Sequence, residues 1–324
     1  MKVAVGAELE GILVSSRGEF ADTQKVLGEE GWKSAEHRHE ALGCDVAACS
    51  LEAATTVCED SNQIRISLDR ALGQIPEGYK AVFMPRTPYP GAIPIAQKPR
   101  YAVMARALTE EHPTGFNGMT QVAPWNAVHF HIGVGDVLSK HAVLLLNILN
   151  NIAPNARLRV IERFGIKKAE GHLTIWTKFT KGQRLPAPRW FASPEQMMSF
   201  IESVPMLFYK DIDGIWKVGD GRMSCLGDAA SEGVLWWLAR PRGTFGTNEW
   251  RPFPSMQPGQ VFILGHEVFK LVHAFWYYVE RYPSLYVNPY GRDVARLYSY
   301  LAESSWLMPD QPLSDDEWWQ QFSM

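Results

Sequence analysis

Apolar and polar positions alternate from the first residues. Val3, Val5, Ala7 and Leu9 fall on one side of an extended backbone and Gly6, Glu8 and Glu10 on the other, which predicts a half-buried strand over residues 2–10. The spacing then changes. Ile64, Leu68 and Leu72 recur at helical intervals and predict a helix over 60–72 that Gly73 ends. Helical spacing resumes near Arg100 and stops before the turn of Pro113, Thr114 and Gly115. A strand is predicted over 121–134 and a buried helix over 139–150 that Pro154 interrupts. Helices follow over 265–281 and 293–304, with a turn-rich stretch at 283–291 between them.

Two stretches have no single period. Residues 84–99 hold Pro85, Pro88, Pro90, Pro94 and Pro99 and read as an extended loop over a site or between halves. The region 165–235 mixes glycines, prolines and tryptophans, and part of it is expected to form a lid.

Composition narrows the function classes. A chain of 324 residues that is 46% hydrophobic can bury a large core as one domain or two. A net charge of -3 and an isoelectric point near 6.3 supply no broad basic surface, so nucleic acid is not an expected partner. The longest apolar stretch, 142–149, is broken by Asn147 and bounded by Asn150 and Asn151, too short for a bilayer. With no charged-then-apolar leader at the start, a cytoplasmic protein that does not engage a membrane is expected. Cys44, Cys49, Cys58 and Cys225 have no Cys-x-x-Cys spacing and read as reduced, partly buried thiols.

The chemistry sits at strand spacing. Glu8 and Glu10 are two residues apart on the first strand, so both carboxylates project from its polar face and can share a hard cation. Taken alone, such a pair is most often a solvated sheet face. His129 and His131 likewise share a face, with Val128, Phe130, Ile132 and Val134 at the alternate positions; Gly133 and Gly135 leave room there for a close-lying ligand. Two strand histidines suit zinc about as well as magnesium–nucleotide chemistry. Glu249 and Arg251 make a third pair, with Arg240 and Arg242 shortly upstream, so a carboxylate is bracketed by guanidinium groups able to grip phosphate oxygens. Three strands that each offer two ionic groups on one face, with no matched cysteines, favour magnesium or manganese holding a polyphosphate over zinc.

In this order the residues resemble the glutamate–cysteine ligase-like carboxylate–amine ligases of the glutamine synthetase superfamily. Gly6-x-Glu8-Leu9-Glu10 is similar to the family's first-strand metal motif. Pro99-Arg100-Tyr101 followed by His129-x-His131-Ile132-Gly133 resembles its central pair, and Arg240-Pro241 with Gly246-Thr247-Asn248-Glu249-Trp250-Arg251 resembles its closing signature. Asp45 followed by Leu51-Glu52 is similar to a neighbouring strand that supplies another acidic ligand.

The resemblance implies an α+β fold: a curved, mainly antiparallel sheet carrying the site on its concave face, with helices packed outside. It also implies one catalytic domain over 1–324, and a homodimer is the family's expectation. The implied metal set is Glu8, Glu10, Glu52 and Glu249 with His129 or His131, the other histidine contacting nucleotide. Arg240 and Arg251 would hold phosphate or the acyl phosphate, and Arg100 nucleotide or substrate. The implied reaction uses ATP and Mg2+, or Mn2+, to phosphorylate a small carboxylic acid that an amine then attacks, giving an amide, ADP and phosphate. Glu8→Gln and Glu249→Gln are each expected to leave the fold intact and remove most turnover.

The family's serine-rich stretch is replaced here by Asn155-Ala156-Arg157 and by residues 172–178, which leaves the acid open, glutamate being only the family's default. Three rivals stay in view. They are phosphoryl transfer to a nitrogen acceptor, a zinc hydrolase built on His129 and His131, and a nucleotide-binding protein without catalysis.

Overall fold

The opening alternation survives in three dimensions. In the computed structural model, which describes residues 3–28, 40–90, 92–111, 122–167, 169, 190–203, 208–211, 213–218, 237–282 and 292–309, Val3, Val5, Ala7 and Leu9 are buried on one side of the first strand. That strand, β1 (Val5–Ser15), begins and ends later than the pattern predicts. Ile12, Leu13 and Val14 are all buried, so both faces are covered, and a strand covered on both sides has no alternation to read.

β1 lies in the middle of an antiparallel sheet. On one side it pairs with β3 (Ser50–Ala54), which pairs in turn with β2 (Ala41–Gly43). β4 (Tyr79–Val82) pairs with the far half of β1. Its other long neighbour is β5 (Ala127–Gly133). Two further strands, β8 (Ala239–Arg242) and β9 (Thr247–Pro254), complete the order β2-β3-β1-β5-β9-β8. A separate hairpin joins β6 (Phe208–Lys210) to β7 (Trp216–Val218). β5 is shorter than the predicted 121–134 because Pro124 turns the chain there, and Asn126 is held against the 84–87 segment through Met84 and Thr87. Residues 94–96 run beside the turn between β2 and β3, with Ile95 bridging Ala47.

Seven helices are described: α1 (Thr23–Leu27), α2 (Ser61–Leu72), α3 (Pro99–Glu111), α4 (Lys140–Phe164), α5 (Pro194–Ser203), α6 (Pro258–Arg281) and α7 (Arg292–Ser304). Asp60 caps α2 by accepting from the Gln63 N–H, and Gly73 ends it, as the spacing predicts. Ile64 and Leu68 of α2, Leu145 and Leu149 of α4, and Leu264, Val268 and Phe275 of α6 bury against Leu9, Phe130 and Phe253 in one core. The apolar face of the sheet is thereby sealed by helices, which leaves its polar face for chemistry.

Pro154 does not interrupt α4, which runs through it for 25 residues until Gly165, at φ 60, ends it. A proline inside a helix removes one N–H and crowds the carbonyl four residues back, at about 3 kcal/mol. Ile148, Leu149 and Ile152 before it and Ala156 and Val160 after it are all buried. Each large apolar side chain contributes about 1.5–3 kcal/mol, so packing on both sides outweighs the defect. α6 starts earlier than the predicted 265 because Val261 and Leu264 continue its buried stripe back to a Gln257–Gln260 capping box.

Gly133 at the end of β5 and Gly246 in the β8–β9 turn lie against the chain's own backbone, while the Cβ position of Gly135 is open. A Cβ on Gly133 would lie 3.2 Å from the Ala4 carbonyl oxygen, and one on Gly246 2.5 Å from the Gly135 carbonyl oxygen. The Gly246 carbonyl accepts from the Val134 and Gly135 N–H groups, docking the β8–β9 turn on the end of β5. Gly246 also sits at φ 61, where a side chain is strained. Gly246→Ala is expected to destabilise the fold by about 2–3 kcal/mol, read as a lowered urea midpoint at unchanged m-value.

Cys44, Cys49 and Cys58 are buried and unpaired by disulfides, as expected. Among the described residues no helix is long and apolar enough to cross a membrane. Cys225, Trp176, the 113–115 and 283–291 turns, and most of the segment expected to form a lid lie outside the described residues.

Candidate functional site

Register decides which ionic groups meet. In the antiparallel pairing of β1 with β3, Glu10 stands opposite Glu52. Across β1 and β5, Glu8 stands opposite His129 and Gly6 opposite His131. His131 is in turn opposite Glu249 of β9, and Glu249 opposite Arg240 of β8. Because side chains two residues apart share a face, the period-two pairs read from sequence form one continuous ionic row across five adjacent strands.

The centre of the row is Glu8. One of its oxygens lies 3.1 Å from His129 Nδ1 and the other 3.0 Å from His131 Nε2, so it bridges both rings. His131 Nδ1 is 3.3 Å from the Thr247 hydroxyl. Burial pushes the Glu8 carboxyl up, but the charge of His131 and the contacts from both rings outweigh it and hold the group well below the usual carboxylate range. Burial, then the nearby Arg251 charge, lowers His129, with Glu8 and Glu249 pulling the other way.

One end of the row is cationic. Glu249, 1% exposed, accepts from Arg240 Nε at 2.7 Å and Nη2 at 3.1 Å, and from Arg242 Nη1 at 3.2 Å. Arg251 Nε lies 3.2 Å from its other oxygen. Burial disfavours the Glu249 charge, but Arg240, Arg251 and Arg242 together overcome it and keep the carboxyl well below its usual range. Burial, with Arg251 close by, lowers Arg240 to about 10. Three guanidinium groups around one carboxylate leave positive charge to spare, which suits phosphate oxygens.

The other end is acidic. Burial and then the Asp45 charge raise Glu10 well above the usual range, against the pull of Arg251 and an N–H from Ala127 at 2.6 Å. Burial, followed by Glu8, Asp45 and Glu10, raises Glu52 likewise, with Arg100 opposing. Arg100 reaches this end from the first turn of α3, 3.9 Å from Asp45 and 2.7 Å from the Tyr101 hydroxyl, which donates to Asp45 at 2.6 Å. Facing carboxylates that burial and mutual repulsion push toward protonation are a fit for a hard divalent cation, whose charge would relieve both. Among the described residues, the grouping that places three ligand atoms within 4.8 Å of one another is Glu8, His131 and Glu249, toward the middle of the row.

All nine predicted site residues therefore meet on one face or at its edge. Two members were outside the predicted set. Arg242 follows Arg240 at strand spacing, a signal the sequence carried. Asp45 precedes β3 and is brought in only by the turn between β2 and β3 and by Tyr101, which no local pattern encodes.

No protein-family model matches the chain, and no curated protein does. Among solved structures the chain is similar to a bifunctional glutathione synthetase from Pasteurella multocida, with a TM-score of 0.50 and 13% identity over 99% of this chain and 41% of that one. A looser likeness, with a TM-score of 0.47 and 12% identity over 100% of this chain and 82% of that one, extends to a glutamate–cysteine ligase from Francisella tularensis in complex with AMP. The first likeness shows a shared fold, and the chain spans well under half the length of that protein.

Proposed function

We propose that the chain is a single-domain, ATP- and Mg2+-dependent ligase that joins a small carboxylic acid to an amine. The observation that carries this reading is the division of charge along one sheet face: buried, facing carboxylates at one end and three guanidinium groups at the other. The fold shared with a glutathione synthetase supports it.

In this reading Glu8, Glu10 and Glu52, with a histidine of the β5 pair, hold Mg2+ or Mn2+; a donor set of carboxylate oxygens without sulfur suits these hard ions. When bound, the metal nucleotide supplies the phosphoryl group that activates the acid. Glu249 is set apart from the other carboxylates because its oxygens already serve guanidiniums. Its role is chiefly to hold Arg240 and Arg251 in place, with at most one lone pair left for metal. The arginines bind the transferring phosphoryl group and spread its developing charge. The acid oxygen bonds to the γ-phosphorus as ADP leaves, and the amine nitrogen then displaces phosphate from the acyl carbon. Arg100 fixes nucleotide or substrate at the acidic end.

Phosphate release from Mg-ATP across a panel of acids and amines, with mass spectrometry of products, tests this. One acid–amine pair is expected to give an amide, ADP and phosphate in equal amounts. A stable phosphorylated nitrogen compound would assign phosphotransfer instead, and nucleotide binding with no turnover under any pair would assign a binding role.

A further inference from the structure

The buried asparagines that break the apolar run of α4 make contacts that the proposed reaction does not use. Asn150 Oδ1 accepts from the Ala239 N–H at 2.8 Å, and its Nδ2 donates to the Ala239 carbonyl at 2.9 Å. One turn earlier Asn147 does the same to Phe191, accepting from its N–H at 3.0 Å and donating to its carbonyl at 2.9 Å. Each side-chain amide thus pairs with a backbone peptide as a neighbouring strand would.

The place of the upper rung gives it meaning. Among the described residues β8 ends the strand order, and it carries Arg240 and Arg242. The Arg251 N–H donates to the Leu238 carbonyl, which fixes the phase of the β8–β9 ladder: Arg240 faces Glu249 in a hydrogen-bonded pair, while Ala239 and Pro241 turn their backbone groups away from β9. Pro241 has no N–H to leave unpaired there, and Ala239 is the residue that Asn150 holds. The lower rung ties in the Phe191 segment, whose ring packs on Trp237 at 5.5 Å just before β8.

We infer that Asn147 and Asn150 form a two-rung amide clamp in which Asn150 is a positioning residue for Arg240 and Arg242, pairing with the outer side of β8 as a further strand would and fixing the backbone from which both guanidiniums reach Glu249. The clamp joins the 191–203 unit and the arginine strand to one helix, so a shift of either is felt by the other. It rests on the proposed function only where phosphate affinity is read.

Asn150→Leu, which keeps the branching and number of heavy atoms but has no amide, tests it. Exchange of the Ala239 amide is expected to quicken about tenfold over wild type while α2 amides are unchanged, and magnesium pyrophosphate, the probe for the arginine cluster, is expected to bind about tenfold more weakly. Asn150→Asp is the second variant. At about pH 8 its carboxylate faces the Ala239 carbonyl and affinity falls similarly; at about pH 5 the buried acid is protonated, both donates and accepts, and the ratio to wild type returns toward one. Unchanged Ala239 exchange, or equal acceleration throughout α2, overturns the clamp. Local acceleration with unchanged pyrophosphate affinity in both variants overturns the positioning role. If wild type binds no pyrophosphate, the phosphate reading fails while the exchange ratio still decides the clamp. If Asn150→Leu does not fold, the thermal stability of Asn150→Asp relative to wild type decides, recovery at the lower pH supporting the clamp and its absence overturning it.

Discussion

Glu249→Gln is expected to abolish turnover and also to lower stability by about 3–5 kcal/mol, the cost of leaving buried charges without their partner. From sequence alone Glu249 is a metal ligand, and its loss is expected to leave the fold intact. The structure places Glu249 at 1% exposure with Arg240, Arg242 and Arg251 all within 3.2 Å, so the substitution leaves three mutually repelling guanidiniums. A glutamine amide would moreover point N–H groups at donors where an oxygen now accepts. The pH dependence has a definite sign. A carboxyl held low in the fold stabilises it above the unfolded value of about 4.3, and that contribution is lost as pH falls through the folded value. The stability gap between wild type and Glu249→Gln should therefore be full at neutral pH and close in acid. Urea unfolding at several pH values checks this; a gap under about 1 kcal/mol at neutral pH would show that the arginines do not depend on this carboxylate. Glu8→Gln is the contrast, since Glu8 bridges histidines rather than guanidiniums and its loss need not strand a permanent charge.

How much of this was legible in the chain depends on the distance over which each fact is encoded. The facing of Glu8 with Glu10, or His129 with His131, is a matter of two residues and the pleat, and the structure bears it out. That β1 lies between β3 and β5, bringing Glu10 to Glu52 and Glu8 to His129, is a long-range fact carried by no local period; the ordered motifs, through the resemblance, pointed to it. The resemblance names Asp45 but does not place it in the metal set, because its position depends on a turn and on Tyr101 from another element. Pro154 misled because local propensity is outweighed when both flanks of a helix are buried. Gly133 signalled close approach, and what approaches it is the chain's own Ala4 backbone, whereas Gly135 has open space at its Cβ position and a φ of 72 that favours glycine.

Glu52→Gln is expected to make the metal-free protein more stable at about pH 8, by on the order of 1 kcal/mol, while removing most of its response to magnesium. Glu52 is 9% exposed and stands opposite the equally buried Glu10, with Asp45 near both. Burial and like charge raise both carboxyls, so between the unfolded and folded values the native state holds protons that the unfolded chain releases. Stability from these groups is thus greatest below the unfolded value and falls as pH rises through the folded ones. Removing one carboxylate flattens that fall. A bound divalent cation does the same by a different route: it replaces the protons, so binding releases them and restores stability where they were missing. In wild type the rise in thermal midpoint with magnesium should grow from about pH 5 to about pH 8, and in Glu52→Gln it should be small at both. Glu10→Gln should behave in the same way, because a glutamine oxygen can still accept the Ala127 N–H that Glu10 now takes at 2.6 Å. Were Glu52→Gln to destabilise the metal-free protein at the higher pH, the pair would be a balanced structural contact. The acidic end would then have no electrostatic reason to seek a cation.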